Sequence, residues 1–499
     1  MKQRSPLLAI FLIVLVDVLG FTIVIPLLSL YAERFGASPL VATTIVSCYA
    51  ISSLISTPII GNLSDRYGRK PLLLVSQAGT CAGFLMLAYS SSLWMVFAGR
   101  IIDGATAGNL SIAQAYISDH TAPEDRSKAF GVIGVAFGIG FMFGPGLGGV
   151  LGTYGMHVPF IVAACLSATS IFFTYTLLKS EKPPQKEHAE TAAAPAGRRP
   201  SAFDIKTYTE YFRRPALGGL YVQFFLFTFA FSCFTSGFAL FSERRFTTDH
   251  DVTYVPGTCE LVVHGNIDPK TANIAAIVVD GKRLAYGTDW TVEDGPHWYD
   301  DEVVVVRGSA CKLLATANKP AIKAELPWSV REVGLLFTFS GLLGILLQGG
   351  LIGRLVKSYG ETRLGIAGFI AAAVAYALLG FAYTVIMLVI VAIISAFGNG
   401  VLRPVITSRI TQVVGRHEQG VALGISGSLS SLAMAFAPPT GGALIDHNWL
   451  IAWALVPATV AVIGLVFALS GRTSASSSST SKPPADPLSG DRRDSLTND

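Results

Sequence analysis

Apolar runs of membrane length recur along the whole chain, separated by short polar breaks, at 7–30, 41–61, 71–90, 93–118, 127–152, 158–178, 216–241, 330–353, 363–382, 385–408, 419–443 and 449–470. About 20 helical residues cross about 30 Å of hydrocarbon. A helix in lipid satisfies its own backbone N–H and C=O groups, so each run is predicted to be a transmembrane α-helix. The first run follows Met1-Lys2-Gln3-Arg4 and imitates a secretory signal. It continues past Leu28 without a small-residue cleavage site and is read as the first membrane helix.

Three stretches depart from this pattern. Ser180–Pro215 is rich in Ala, Pro, Lys and Glu and reads as a cytoplasmic linker without a core. Residues 471–499, biased to Ser, Thr, Pro and Asp, read as a disordered tail. Residues 247–327 carry many Asp and Glu and short β-branched stretches, Leu261-Val262-Val263 and Val303-Val304-Val305-Val306, with a hairpin signal at Asp280-Gly281. A small β-sandwich-like module is expected there, bounded by Glu243-Arg244-Arg245-Phe246 and Pro327-Trp328-Ser329. The expected fold class is therefore an all-α polytopic membrane protein with a β-rich insert between helices seven and eight. Its parts are an N-terminal bundle over 1–179, the linker over 180–215, a C-terminal bundle over 216–246 and 328–470, the insert, and the tail.

An internal repeat relates the two bundles. Gly61-x-Leu63-x-x-x-Tyr67-Gly68 recurs as Gly353-x-Leu355-x-x-x-Tyr359-Gly360, and Gly108 and Gly400 share the same offset. Twelve helices in two six-helix pseudo-repeats, with a substrate path between them near the midplane, is the architecture this predicts.

Composition adds the solvent and charge adds the orientation. The chain is 51% hydrophobic and 14% charged, so lipid is its expected solvent. Lys and Arg gather in alternate loops, at Lys2/Arg4, Arg66/Arg69/Lys70, Arg126/Lys128, Lys179 through Arg214, Arg354/Lys357/Arg363 and Arg409/Arg416, while the other short loops hold almost only Arg34. Both termini are thus predicted cytoplasmic and the insert extracytoplasmic, in an inner or plasma membrane. The net charge of +4 is scattered over these loops, which argues against a nucleic-acid partner. Cys48, Cys81, Cys165 and Cys233 fall in spans, whereas Cys259 and Cys311 fall in the insert, where an oxidising compartment permits a disulfide. His250, His264 and His297 lie at no ligand spacing, so no metal is expected. With no phosphate-binding loop or nucleophile motif, no enzyme activity and no cofactor are expected.

A charge within hydrocarbon costs at least about 2.5–3.5 kcal/mol, which makes Asp17, Arg100, Asp103 and Arg403 the first functional candidates. Arg100 and Asp103 are one helical turn apart and suited to pairing; a static pair that neutralises both is the competing reading. Proton coupling needs a carboxyl that burial and a nearby cation can tune, a role open to Asp17 or Asp103 with Arg100 as modulator. Asn109, Gln114, Gln223, Gln348 and Asn399 either line a substrate cavity or bond helix to helix. In the fifth span Gly134, Gly138, Gly140, Gly144-Pro145, Gly148 and Gly149 place small residues at four-residue spacing for close helix approach, and Pro145 is expected to bend the helix.

These motifs together resemble the major facilitator superfamily, in particular its tetracycline-efflux-like drug/proton antiporters, over nearly the whole chain apart from insert, linker and tail. Gly61-Asn-Leu-Ser-Asp65-Arg66-Tyr-Gly68-Arg69-Lys70 is similar to that family's signature loop between helices two and three, and the resemblance implies a cytoplasmic gate with Asp119 and Arg126. Arg100-Ile-Ile-Asp103-Gly104 is similar to its helix-four motif, whose arginine the family links to proton transfer. Gly134 through Gly149 is similar to the helix-five signature of exporters, and Asp17-x-x-Gly20 followed by Pro26 to tetracycline carriers. Two further intramembrane aspartates of those carriers correspond to Gly83 and Ala372 here, and Lys357 stands at the second-half position matching Asp65.

The expected function is a monomeric, proton-driven exporter of small amphipathic compounds working by alternating access. Alternatives are an importer or facilitator of a metabolite or sugar with the same fold, and a receptor or assembly platform whose insert binds an extracytoplasmic partner.

Overall fold

Ten helices among the described residues are long and apolar enough to cross a membrane. The structure is a computed structural model that describes residues 6–121, 126–178, 205–255, 260–263, 276–280, 282–285, 287–293, 302–306, 311, 314, 322–414 and 418–478. Cys259, Gly281, the linker over 180–204 and the tail from 479 lie outside the described residues, as do the side chains of Arg126 and the environment of Gly134. In order, the helices are α1 (Pro6–Glu33), α2 (Pro39–Tyr67), α3 (Arg69–Ala88), α4 (Leu93–Ala105), α5 (Asn109–His120), α6 (Arg126–Gly152), α7 (Val158–Leu177), α8 (Ile205–Arg213) and α9 (Pro215–Arg245). After the insert come α10 (Val330–Leu346), a π segment (Leu347–Leu351), α11 (Ile352–Tyr359), α12 (Glu361–Gly380), α13 (Val385–Val413), α14 (Gln419–Asp446) and α15 (Leu450–Ser478).

The run expected as one helix over 93–118 is broken between α4 and α5. A break inside a membrane exposes backbone groups that lipid cannot satisfy, and two hydroxyls repair it. Ser76 donates to the Thr106 carbonyl and accepts from the Gly108 N–H at 2.9 Å, while Thr57 donates to the Ala107 carbonyl at 3.0 Å. Gly400, at the same offset in the second half, lies within the unbroken helix α13, so that part of the repeat does not carry over into local structure. The other part does. Gly68 and Gly360 adopt φ of 98° and 76°, a region open to glycine, and each ends one helix and starts the next, α2 to α3 and α11 to α12. The stretch read as linker ends in α8, whose Tyr211 is buried. Next to it, Arg214 clasps Glu418 at 2.7 and 3.1 Å and holds that carboxyl below the usual carboxylate range.

Glycines on α6 serve two opposite neighbours. A Cβ at Gly140, Gly144 or Gly148 would strike Val18, Thr22 or the Ile23 carbonyl of α1; a Cβ at Gly146 or Gly149 would strike Thr338 or the Val330 carbonyl and Gly334 of α10. Thr22 seals the first contact by donating to the Gly140 carbonyl at 2.9 Å. The helix runs through Pro145 without interruption. Close approach at both faces gains dispersion contacts that lipid-exposed helices lack.

The described residues of 247–327 form seven antiparallel strands in the order β4-β3-β7-β1-β2-β6-β5, namely β1 (Thr247–Val255), β2 (Glu260–Val263), β3 (Ala276–Val279), β4 (Lys282–Leu284), β5 (Trp290–Glu293), β6 (Glu302–Val306) and β7 (Ile322–Pro327). β3 and β4 pair from Val279 and Lys282 outward, across Asp280 with φ 49°. β1 pairs first with β7 and then with β2, joining two halves that share one core of Leu261, Val263, Ile277, Val279, Trp290 and Ala324. Cys311 is disulfide-bonded, while Cys48, Cys81, Cys165 and Cys233 are free thiols.

Overpacking at the α6 contacts is expected to cost about 1–3 kcal/mol or more. Gly144→Leu and Gly149→Leu should lower the melting temperature of the detergent-purified protein, whereas Gly424→Ala, at a helix position with nothing within 4 Å, should leave it unchanged; equal melting curves for all three would refute the packing account.

Candidate functional site

The first half concentrates its ionisable groups among α1, α3, α4 and α7. On α4, Arg100 and Asp103 sit one turn apart and form an ion pair of 2.8 Å, each residue 3% exposed. The Arg100 guanidinium also lies 4.4 Å from the centroid of the Tyr49 ring on α2, and its Nε has no hydrogen-bond partner. An ion pair taken out of water holds only when further contacts offset the desolvation, and here the aromatic face of Tyr49 supplies one. Thr80 of α3 faces the Asp103 carboxylate.

Asp17 lies mid-way along α1 and faces Gln77 of α3 and Ser170 of α7, with Asp103 near enough to interact electrostatically. Gln77 donates to Ser170 at 2.7 Å, Ser170 contacts the Ile13 carbonyl at 3.4 Å, and the Asp17 Oδ1 is buried without a partner. Asp17, Arg100 and Asp103 thus come together as one constellation, lined by Gln77, Ser170, Thr80 and Tyr49. Those four were not singled out from the sequence. Gln77, as the one amide within the apolar run of α3, is the member that a search for polar residues in spans would have found.

Gly83 explains why no carboxylate stands at its position. A Cβ there would lie 2.8 Å from the Gly99 carbonyl and 2.9 Å from the Asp103 Cβ, so α3 and α4 touch backbone to backbone beside the ion pair. Ala372, 1% exposed in α12, is equally enclosed.

At the turn between α2 and α3, Arg69 pairs with Asp65, donates to Ser64 at 2.8 Å and pairs with Asp119 at the end of α5 at 2.8 Å. Gly61 is buried in α2, Gly68 supplies the positive φ of the turn, and Arg66 lies over Tyr67 at 5.5 Å. Lys70 donates to the Tyr175 and Leu178 carbonyls at 2.7 and 2.8 Å, capping α7. All of these contacts stay within helices α2 to α7.

The second-half candidates are dispersed. Gln223 is buried in α9, and Asn399 accepts from the Tyr376 hydroxyl at 3.0 Å, a helix-to-helix bond. Gln348 is exposed in the π segment, and Arg403 is exposed in α13 with no ion pair or hydrogen bond among the described residues. In the first half, the Asn109 Oδ1 is buried without a partner, and Gln114 is exposed on α5. No group of three His, Cys, Asp or Glu suited to a metal occurs among the described residues.

The two halves meet at the end that bears the insert. Ser29 of α1 donates to the Ser236 carbonyl of α9 at 3.2 Å, and Arg244 of α9 pairs with Glu33 of α1 at 2.6 Å. Ser47 of α2 contacts the Met434 carbonyl of α14, and Gly442 sits against Pro39. Toward the opposite end, Gly344, Gly349, Gly350 and Gly353 on α10–α11, and Gly424 and Gly427 on α14, have nothing within 4 Å of a built Cβ. The Ser29–Ser236, Glu33–Arg244 and Ser47–Met434 contacts between the halves lie on the insert side.

A family model described as Major Facilitator Superfamily matches residues 10–263 and 303–493, leaving only part of the insert and the two ends unmatched. The class H tetracycline resistance protein of Pasteurella multocida is 28% identical over 394 residues, covering 76% of this chain and 95% of that protein. Multidrug resistance protein 2 of Bacillus subtilis (strain 168) is 24% identical over 452 residues, 90% of each chain. Among solved structures, the human organic anion transporter MFSD10 (TETRAN) superposes with a TM-score of 0.59 at 19% identity, covering 94% of this chain and 100% of that one, which is a likeness of fold. With apolar helices of membrane length along its length and a family match over most of its residues, the chain belongs to the Major Facilitator Superfamily and is a multi-pass membrane transporter, not an enzyme.

Proposed function

We infer that the protein exports small amphipathic compounds in exchange for protons, by alternating access of a path between two six-helix halves. In this reading both termini are cytoplasmic, α4 with α5 and the shorter apolar run of α6 complete twelve spans, and the insert stands outside the cytoplasm, where Cys311 and Cys259 form its disulfide. The observation that carries the coupling is Asp17: a carboxyl within a membrane helix, one oxygen buried without a partner, in electrostatic reach of a fully buried Arg100–Asp103 pair. Such groups are expensive in hydrocarbon and persist where they work. A proton moving on and off Asp17, sensed by Asp103 and Arg100, is the coupling step; the same proton leaves to the cytoplasm when the path faces that side.

Alternating access is supported by glycines that this conformation does not use. A glycine within a helix costs roughly 0.5–1 kcal/mol relative to alanine. Those on α10–α11 and α14 with open space around them fit a second state in which helices approach closely at that end, as they do at Gly146 and Gly149 here. Export is supported by the glycine pattern of α6 and by similarity to proteins named for tetracycline and multidrug resistance. Phe234 and Phe238 of α9, in ring contact with each other and with Phe337 of α10, provide an apolar aromatic wall. Arg403 faces open space from within a membrane helix; since an unpaired cation is not stable against lipid, it is assigned to the water-filled path.

Asp17→Asn should abolish proton-driven accumulation of a transported dye in inverted vesicles while leaving substrate counterflow intact; full proton-driven transport would remove Asp17 from the mechanism. Asp103→Asn leaves Arg100 buried and unpaired, at a cost of about 3–5 kcal/mol, so it should lower thermal stability as well as transport. Arg403→Gln, which removes no partner, should raise KM for transported compounds with melting temperature unchanged; an unaltered KM would place Arg403 outside the path.

A further inference from the structure

We propose that the β-module is a rigid clamp that couples the two extracytoplasmic seams, so that α9 and α10 part from the N-terminal half together. The inference rests on the transporter reading for its purpose but on geometry for its content. α9 ends at Arg245, a single residue, Phe246, follows, and β1 starts at Thr247; β7 ends at Pro327, and Trp328 and Ser329 lead into α10 at Val330. The two strands pair from their first possible residues, Thr247 opposite Pro327 and Thr248 opposite Leu326. Below that rung the Trp328 N–H donates to the Phe246 carbonyl at 3.0 Å, and the two rings lie 5.1 Å apart, with Phe246 4% and Trp328 5% exposed.

This root is anchored in the helices. Phe246 meets Phe241 of α9 at 6.1 Å, and Phe241 stacks on Trp453 of α15 at 4.9 Å. Arg245 lies 4.3 Å from the Tyr383 ring centroid in the turn between α12 and α13. On the other side a reciprocal capping box, Ser329 with Glu332, starts α10 without slack. A hinge needs a few residues free to change φ and ψ, and neither junction holds them.

The two helices so joined are those that close the path to the insert side. α9 meets α1 through Ser29–Ser236 and Glu33–Arg244; α10 meets α6 where Val330 and Gly334 press on Gly149 and Gly152. Apart from the module, the two seams are linked through the packing of α9 and α10 on each other and on α13 within the same half. A sheet fixed to both helix ends makes them one, which is a coupling free energy between distant contacts.

The test uses the full chain with Cys48, Cys81, Cys165 and Cys233 replaced by Ser. Ser29→Cys with Ser236→Cys allows oxidation to lock the α1–α9 seam, and Val330→Cys reports the α6–α10 seam through its labelling rate with a membrane-impermeant maleimide, read on the 330 peptide by mass spectrometry. Locking should slow labelling at 330 by about tenfold. In a second protein, four-residue Gly/Ser spacers after Thr247 and before Leu326 unhitch the module while keeping Phe246 and Trp328, and there locking should leave labelling nearly unchanged. Equal protection with and without spacers, or none in either, overturns the clamp, even in a protein that transports. Spacer-dependent protection in a protein that moves no compound upholds the clamp and overturns the transport reading instead.

Discussion

Lipid offers the backbone no hydrogen bonds, and that constraint orders the rest of the molecule. It forces long helices, and it makes each interruption something that must be repaired. The break between α4 and α5 exists only because Ser76 and Thr57 reach across to its free groups. It falls just beyond the Arg100–Asp103 pair, so the polar repair and the buried charges occupy one neighbourhood. The same constraint removes the hydrophobic drive for helix to meet helix, which leaves dispersion and close approach as the means of association. Glycines at Gly83/Gly99, Gly144/Thr22 and Gly149/Gly334 meet that need.

Close approach of this kind is all-or-none, because packed backbones are bistable rather than elastic. A transporter gains from that property. Alternating access, as proposed, needs tight contacts at the insert end, like those along α6, to be exchanged for equally tight contacts at the other end. Surface ion pairs such as Arg244–Glu33, each partner part-exposed, add direction more than energy.

The membrane helices were legible because apolar run length is a one-dimensional property, and the starts and ends differ from expectation by a few residues. The turn at Gly68 and its counterpart at Gly360 were legible because only glycine serves a positive φ there. The helix break at 106–108 was not, since it carries no proline and its repair comes from Ser76 and Thr57, distant in sequence. Asp17, Arg100 and Asp103 stood out as charges in apolar runs, but their surroundings, Gln77, Ser170 and Tyr49, depend on which faces three other helices present. Glu33 and Arg244 sit at helix ends, where charges are ordinary, so nothing in the sequence marked them as partners across the seam. Strands were legible in the insert from its β-branched runs; the junction formed by Phe246 and Trp328 was read only as a boundary.

The position of Gly83 bears on what the coupling chemistry is. At this place α3 and α4 touch backbone to backbone, with the Gly99 carbonyl 2.8 Å from where a Cβ would begin. No rotamer of Asp fits such a contact, because the clash begins at the Cβ itself. In the second half Ala372 is enclosed in the same way, its backbone lying against Gly398 of α13. Among the described residues, Asp17 and the Arg100–Asp103 pair lie together in the N-terminal half, while Glu243 sits near the end of α9 in the C-terminal half. The C-terminal half carries the aromatic contacts of α9 and α10 and, exposed in α13, the cation Arg403. On the coupling proposed for Asp17, the signal must pass from one half to the other through the seams, so the stiffness of their connection belongs to that proposal as much as the carboxyl does.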